Sequence, residues 1–299
     1  MRLVITGATG FIGSHIMSAA QALDLDVHAP SRNQLYTNPG FNHGDIIIHC
    51  AAVIPTTKTK TNQRVLSEAN AELTSVLAKT AVQVRAQRFI FLSSIAVMGE
   101  ATPPNKAFTV TDELSPISHY GKSKKDAEDA LKRILGPTDL DFCIIRAPLV
   151  YGPGVKTAFQ KLCLWVTKSS LLPFGGLHSQ RHLVGIRNLI DLIFLCISHP
   201  NAANTTFLVA DKESLSTTQL IHRIANAASR KARLVNVPPW LLQIMAMPLG
   251  KREMIRRLNH SLLIDTAYTQ QALDWQPRVT LDEEIQSTIE SLMNSTSIS

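Results

Sequence analysis

The stretch "RLVITGATGFIG", Arg2 to Gly13, decides the fold. Its first five residues are a short run rich in β-branched side chains, the pattern of a strand buried on both faces. Gly7, Gly10 and Gly13 follow at regular spacing. Glycine there permits a tight turn, close approach of the backbone to a diphosphate and close packing of helix on strand. The apolar-periodic run from Phe11 to Leu23 then reads as a helix. The unpaired amides of its first turn, at Phe11, Ile12 and Gly13, suit phosphate oxygens. A glycine triplet that ends a strand and opens a helix signals dinucleotide binding. Its first gap is one residue longer than in G-x-G-x-x-G.

Further along, "DVHA" (Asp26 to Ala29), "IIIHC" (Ile46 to Cys50), "RFIFLSS" (Arg88 to Ser94) and "DFCIIR" (Asp141 to Arg146) read as strands. Helical runs separate them, notably Ser67 to Arg85 and a charged run that carries Tyr120. This alternation predicts an α/β fold, a doubly wound parallel Rossmann-like sheet with a smaller, mainly helical C-terminal domain. Residues 1–150, joined by about 183–210, are assigned to the nucleotide-binding domain. Residues 151–182 and 211–299 are assigned to the substrate domain. The amphipathic run Asn188 to Ser198 is expected to pack back on the first domain. Ser216 to Gln219 and Thr280 to Glu283 each fit a capping box.

The end of the second strand selects the cofactor. "APSRN" holds Ser31 and Arg32 and no acid. An acid would hold the ribose 2′-hydroxyl of NAD, whereas a hydroxyl and a guanidinium suit the 2′-phosphate of NADP. The cofactor is therefore NADP or NAD, with NADP favoured. Between Arg32 and Asp45 there is no room for a helix, a strand and a second helix. One βα unit is expected to be shortened, with a loop through Asn38, Pro39 and Gly40 crossing to "IIIHC".

In "SHYGKSKKDAEDALKR", Ser118 to Arg133, Tyr120 and Lys124 sit one helical turn apart on one face. An ammonium beside a phenol favours the phenolate and readies the tyrosine for proton transfer. The acids and bases interspersed along Lys122 to Arg133 read as a solvated helix face. His119 is adjacent to Tyr120, and adjacent helical residues point in different directions.

Composition sets limits. The 299 residues are 45% apolar and 18% charged, as expected for a globular protein, with a formal charge of +7. That excess suits an anionic nucleotide. The densest basic stretch, Lys251, Arg252, Arg256 and Arg257, is too short for a nucleic-acid footprint, so no nucleic-acid partner is expected. Cys50, Cys143, Cys163 and Cys196 stand singly in apolar stretches, which predicts buried free thiols, no metal site and a reducing cytoplasmic setting. Glycines interrupt the N-terminus at once, unlike a signal peptide, and Arg187 and Asp191 break the most apolar stretch, so no membrane partner is expected. His49 and Cys50 read as core, and Trp165, Trp240 and Trp275 as packing anchors.

Five segments in order, "GATGFIG", "IIIHCAA", "FLSSIAVMGE", "YGKSK" and "IIRAPLVYGPG", resemble the extended short-chain dehydrogenase/reductases that act on nucleotide sugars. "LPFGGLHSQRHLVGIRNLIDLI", "TTFLVADKESLSTTQLIHRIA" and "RLNHSLLIDTAYTQQALDW" are similar to a bacterial branch of O-antigen or capsule sugar synthesis. That branch is called UDP-glucose 4-epimerase-like, and it includes 4-reductases of UDP-4-keto-6-deoxy-HexNAc. The resemblance implies a UDP-sugar substrate and a homodimer. It implies Tyr120 as acid/base, Lys124 as the residue that lowers the phenol and holds the nicotinamide ribose, and Ser94 as hydrogen-bond partner of the reacting oxygen. It also implies Ala51, Ala52, Ala147 and Pro148 against the cofactor, with Arg146 beside them and Asn70 on the helix behind. Arg181 and Arg257 match positions that contact the sugar nucleotide.

Departures narrow the reaction. Ile95 and Ala96 stand where sugar 4,6-dehydratases carry an acid pair, which disfavours dehydration. Met98 and Ala158 stand where relatives often carry tyrosine and asparagine. Two reactions at C4 remain, a 4-ketoreductase, slightly favoured by Ser31 and Arg32, and a 4-epimerase. A non-catalytic NADP-binding sensor on the same fold is the alternative from another class.

Overall fold

The computed structural model describes residues 1–52, 63–103, 106–169, 171–247 and 258–296. Six parallel strands form the main sheet: β1 (Arg2–Thr6), β2 (Asp26–His28), β3 (Ile46–His49), β4 (Arg88–Ser94), β5 (Asp141–Ala147) and β9 (Thr205–Leu208). Their spatial order is β2-β1-β3-β4-β5-β9. The order reverses on either side of β1, and such a switch point opens a crevice at the carboxyl ends of the strands.

Alternation along each strand supplies two apolar faces. Leu3, Ile5, Ile46, Ile48, Ile90, Cys143 and Ile145 pack with α1 (Phe11–Ala22) and α6 (Ile186–Ser198). Val4, Ile47, Phe89, Phe91, Phe142 and Ile144 pack on the other face with α3 (Gln63–Gln83) and α4 (His119–Leu135). Each such side chain, fully buried, contributes about 1.5–3 kcal/mol. The continuous apolar runs are therefore strands covered on both sides, as read from the sequence.

The connection after β2 is short, as expected. A single turn, α2 (Gln34–Thr37), is followed by a loop in which Gly40 takes a φ of +67°. Arg2 anchors the loop through Asp45 at 2.6 Å and the Gly40 carbonyl at 2.8 Å. His28 Nε2 lies 3.0 Å from the Pro39 carbonyl. No strand lies beyond β2 among the described residues.

The remaining chain is mainly helical, as read from the sequence, and also carries short strands. β6 (Leu149–Tyr151), β8 (Gln180–Gly185) and β10 (Ser214–Ser216) form a second sheet in the order β10-β8-β6. β7 (Leu171–Leu172) and β11 (Arg233–Leu234) form a two-stranded ribbon. These strands are too short, and too polar in Gln180 to His182, to show a period of two. Around them lie α5 (Ala158–Lys168), α7 (Thr217–Ala227), α8 (Pro239–Ala246), α9 (Ala267–Leu273) and α10 (Leu281–Thr296). Both expected capping pairs form, Ser216 with Gln219 and Thr280 with Glu283.

Asn188 on α6 joins the layers. Its amide donates to Asp211 and to the Val279 carbonyl at 2.8 Å each, and its oxygen accepts from the Val279 amide at 2.9 Å. Trp275 is buried, and its indole donates to Asp191 at 2.7 Å. Trp165 and Trp240 are exposed at 42% and 63%, so two of the three tryptophans are not the packing anchors expected. All four cysteines are free thiols; three are buried and Cys50 is half-buried.

Candidate active site

The turn after β1 is built on close approach. Gly7 has a φ of +75°, and a Cβ there would lie 2.8 Å from the Ala51 amide nitrogen. A Cβ on Gly13 would sit 2.1 Å from the Gly7 carbonyl oxygen, so helix and turn touch backbone to backbone. Gly10 differs. A Cβ there would meet only the Gly7 oxygen, at 3.2 Å. Gly10 is the N-cap of α1 and supplies no side-chain cap. The first-turn amides at Phe11, Ile12 and Gly13 therefore face a cradle that a side chain would fill, which fits a diphosphate. The residues present thus suit a dinucleotide.

The neighbouring strand ends complete the crevice. Ala51 and Ala52 follow β3 and are half-buried. Ser94 ends β4 and caps the 3-10 turn Ile95–Val97 by accepting from the Ala96 amide at 3.2 Å. Ala147 ends β5, and Pro148 after it is also buried. Ser31 and Arg32 follow β2, both exposed, and no hydrogen bond or ion pair engages the Arg32 side chain among the described residues.

Tyr120 is the second residue of α4, whose N-cap Ser118 accepts from the Gly121 amide at 3.2 Å. A Cβ on Gly121 would stand 2.3 Å from the Ala96 carbonyl oxygen. Only glycine lets the first turn of α4 press against the turn that follows Ser94. That contact brings the phenol of Tyr120 near Ser94, close enough for the hydroxyl to act on it. Lys124 is buried one turn further on. Its Nζ donates to the Leu92 carbonyl at 2.9 Å and lies 4.7 Å from the Phe91 ring centroid.

The electrostatics correct one expectation. The Tyr120 phenol is pushed up by burial, and the nearby Ser94 hydroxyl opposes the rise. Lys124 is not a cause of its shift in this structure, because the ammonium is turned onto the Leu92 carbonyl. Lys124 itself is lowered to about 8 by burial, against the pull of Cys50 and Glu128. Beneath it, burial and then the Lys124 charge lower His49 to about 3, which keeps the imidazole neutral. His49 sits between Thr6, 2.7 Å from Nδ1, and Thr74, 3.2 Å from Nε2. Its assignment to the core stands.

A second correction concerns α4. Along Lys122 to Arg133, Lys124 and Glu128 are buried, so the run is not uniformly a solvated face. Glu128 is fully buried and takes two bonds from Arg146, 3.1 Å from Nε and 2.7 Å from Nη2. Ser93 donates to the same carboxylate at 2.5 Å. Sequence reasoning missed Ser93 and Glu128. The available signal was the four-residue spacing of Tyr120, Lys124 and Glu128, which puts all three on one stripe. Asn70 lies behind the site as expected, with its amide donating to Ser123 of α4 at 3.0 Å.

Other expected residues lie apart or outside. His119 is exposed. Arg181 is on β8 of the second sheet, and its guanidinium donates to the His260 carbonyl at 2.8 Å. Arg257 lies outside the described residues. Ile95 and Met98 are buried in a satellite core, and Ala158 opens α5. No group of side chains among the described residues could hold a metal ion, and no helix among them is long and apolar enough to cross a membrane.

A glycine turn and an uncapped helix at a switch point, beside a serine, tyrosine and lysine on adjoining elements, define a dinucleotide-binding fold of the oxidoreductase type. The comparisons narrow this. The chain belongs to the NAD dependent epimerase/dehydratase family, whose model matches residues 3–210. It is 34% identical to a UDP-glucose 4-epimerase of Vibrio cholerae, over 97% of this chain and 95% of the relative. It is 21% identical to an N-acetyl-alpha-D-glucosaminyl-diphospho-ditrans,octacis-undecaprenol 4-epimerase of Escherichia coli O157:H7, over 79% and 75% of the two chains. Among solved structures, RMD from Pseudomonas aeruginosa complexed with NADPH superposes with a TM-score of 0.80 at 17% identity, covering 98% of this chain and 99% of that one.

Proposed function

We propose that this chain is an NAD(P)-dependent enzyme acting at C4 of a UDP-hexose or UDP-HexNAc, and that it interconverts the two C4 epimers. The observation that carries the reading is the approach of Tyr120 to Ser94, forced by the contact of Gly121 with Ala96, with Lys124 one turn further along α4 at the strand ends. Gly7, Gly10 and the amides of Phe11, Ile12 and Gly13 would hold the coenzyme diphosphate. Ala51, Ala52, Ala147 and Pro148 would flank the rest of the coenzyme, and Lys124 would hold its ribose hydroxyls. Bound there, a nicotinamide supplies hydride transfer to and from the sugar carbon.

Tyr120 would take the C4 hydroxyl proton as that carbon is oxidised and return it when the carbon is reduced on the other face. Ser94 would orient the oxygen. The Lys124 ammonium would favour the phenolate once it leaves the Leu92 carbonyl and turns toward the site. Ile95 and Ala96 offer no acid or base, so these two positions supply no group to expel water from the ring. Arg181 and Arg257 are proposed to contact the sugar nucleotide. The whole-length likeness to a UDP-glucose 4-epimerase supports epimerisation. The likeness to the Escherichia coli 4-epimerase, whose name describes an undecaprenol-linked sugar, supports a place in surface-polysaccharide synthesis.

A second reading, NADPH-dependent reduction of a 4-keto sugar, is favoured by one observation. Arg32 presents an unengaged guanidinium after β2, where a 2′-phosphate would lie, with Ser31 beside it. One experiment separates the readings. The protein is incubated with UDP-hexoses, UDP-HexNAcs and a UDP-4-keto-6-deoxy sugar, while NADPH absorbance and C4 stereochemistry by NMR are followed. Two C4 epimers at equilibrium without net cofactor change support the epimerase, and stoichiometric NADPH loss supports the reductase. Coenzyme binding without turnover of any of these sugars overturns both and leaves a sensor.

A further inference from the structure

We propose that Glu128 is a positioning residue for the Tyr120–Lys124 pair: its carboxylate, clamped by Arg146 and Ser93, sets the depth and rotation of α4 on the strand ends and keeps Lys124 charged. The inference rests on the roles proposed above for Tyr120 and Lys124.

Three side chains on one stripe of α4 meet three consecutive residues of β4. Tyr120 lies near Ser94, Lys124 bonds the Leu92 carbonyl at 2.9 Å, and Glu128 bonds Ser93 at 2.5 Å. Arg146 is the register partner of Ser93 on β5, so hydroxyl and guanidinium reach the carboxylate from neighbouring strands. A carboxylate that accepts a two-pronged fork and a hydroxyl has both its place and its plane fixed. Both members of the ion pair are buried, at 3% and 0% side-chain exposure. Two apolar residues of similar volume often stabilise such a place as well as a buried pair does. What the pair adds here is orientation. Glu128 lies two turns, about 12 Å, along the helix from Tyr120, so its setting governs where the phenol stands. A misplacement of about 1 Å can lower turnover about 100-fold.

Charge gives the second link. Among the described residues, the titratable groups that act on or feel Lys124 are the Cys50 thiol just past β3, the neutral His49 of β3 and Glu128 of its own helix, with Arg146 of β5 across the Glu128 carboxylate; Tyr120 lies one turn before it on the same helix. From α3, the uncharged Thr74 meets His49 and the uncharged Asn70 meets Ser123. Glu128 is the one carboxylate in that set. Without it, Arg146 and Lys124 share a buried region with no counter-charge.

The test uses the full chain and the sugar substrate that the wild type turns over. Glu128→Gln is expected to lower kcat about 10- to 100-fold with the sugar KM within about twofold. It should also move the alkaline limb of kcat/KM to lower pH by roughly one unit. An NMR titration of Lys124 Nζ in the ligand-free protein should move the same way. Glu128→Asp should recover part of the loss. A lower melting temperature with an unmoved alkaline limb and an unmoved Lys124 titration would make the residue merely structural and overturn the proposal. If Glu128→Gln does not fold, Ser93→Ala and Arg146→Lys carry the same two readouts. Full turnover by Tyr120→Phe would defeat the functional reading itself. Loss of turnover in Tyr120→Phe with normal profiles in the Glu128 variants would defeat only this inference.

Discussion

Replacing Gly13 and Gly10 by alanine, one at a time, should separate stability from coenzyme binding within one turn of chain. At Gly13 the new Cβ would stand 2.1 Å from the Gly7 oxygen and 2.7 Å from its carbonyl carbon, far inside the ordinary contact limit of 3.4 Å. Both neighbours are backbone, so β1 and α1 must move apart. Overpacking of this kind costs about 3 kcal/mol at the upper end of its usual range. Alanine's better helix propensity offsets about 1 kcal/mol of that. The net loss is about 2 kcal/mol, or a fall of roughly 4–8 °C in Tm. At Gly10 the backbone angles, φ −77° and ψ 169°, suit any residue, and the added Cβ meets one atom at 3.2 Å. Gly10→Ala should therefore melt within about 2 °C of the wild type. Its methyl fills the cradle at the first turn of α1, so coenzyme affinity should fall more than about tenfold. Differential scanning fluorimetry and a fluorescence titration with NADPH and NADH read both effects. Wild-type melting of Gly13→Ala, or wild-type coenzyme affinity in Gly10→Ala, would refute the reasoning.

Three further outcomes are expected. Tyr120→Phe should lower turnover about 10²–10⁴-fold with Tm unchanged, read by the stereochemical NMR assay. Arg32→Ala should weaken NADP binding about tenfold and leave NAD binding alone, because only the former loses a charge-assisted partner. Acid should destabilise the protein through His49, whose folded-state value near 3 lies below its ordinary 6.5. The unfolded chain takes up that proton first, so stability falls as pH drops from about 6.5 toward 3. The loss by pH 5 is about 2 kcal/mol, and His49→Gln should flatten it in urea titrations.

The sheet was legible because its signals are local and redundant. "IIIHC" and "RFIFLSS" are apolar on both faces, and only a covered strand accepts that. The shortened connection before Asp45 was legible by simple length. The second sheet was not, because two- and three-residue strands such as Leu171–Leu172 and Ser214–Ser216 exist through pairing with distant segments. At the site, the face shared by Tyr120 and Lys124 followed from helix period alone. The direction of the phenol's shift did not follow. It depends on burial and on the Lys124 ammonium choosing the Leu92 carbonyl, and both are tertiary facts. Glu128 was hidden by the same logic. A carboxylate among lysines reads as solvated until a strand brings Arg146 beneath it.

The shortened connection also bears on solubility. It leaves β2 as the margin of the main sheet, and an open margin invites strands from other molecules to add on. Here that margin is three residues long, Asp26–His28, and opens on an acid. Pro30 stands two residues past its end, without an amide hydrogen to extend the ladder. At this margin the shortened connection thus exposes only a brief, acid-fronted length of backbone for another strand to join.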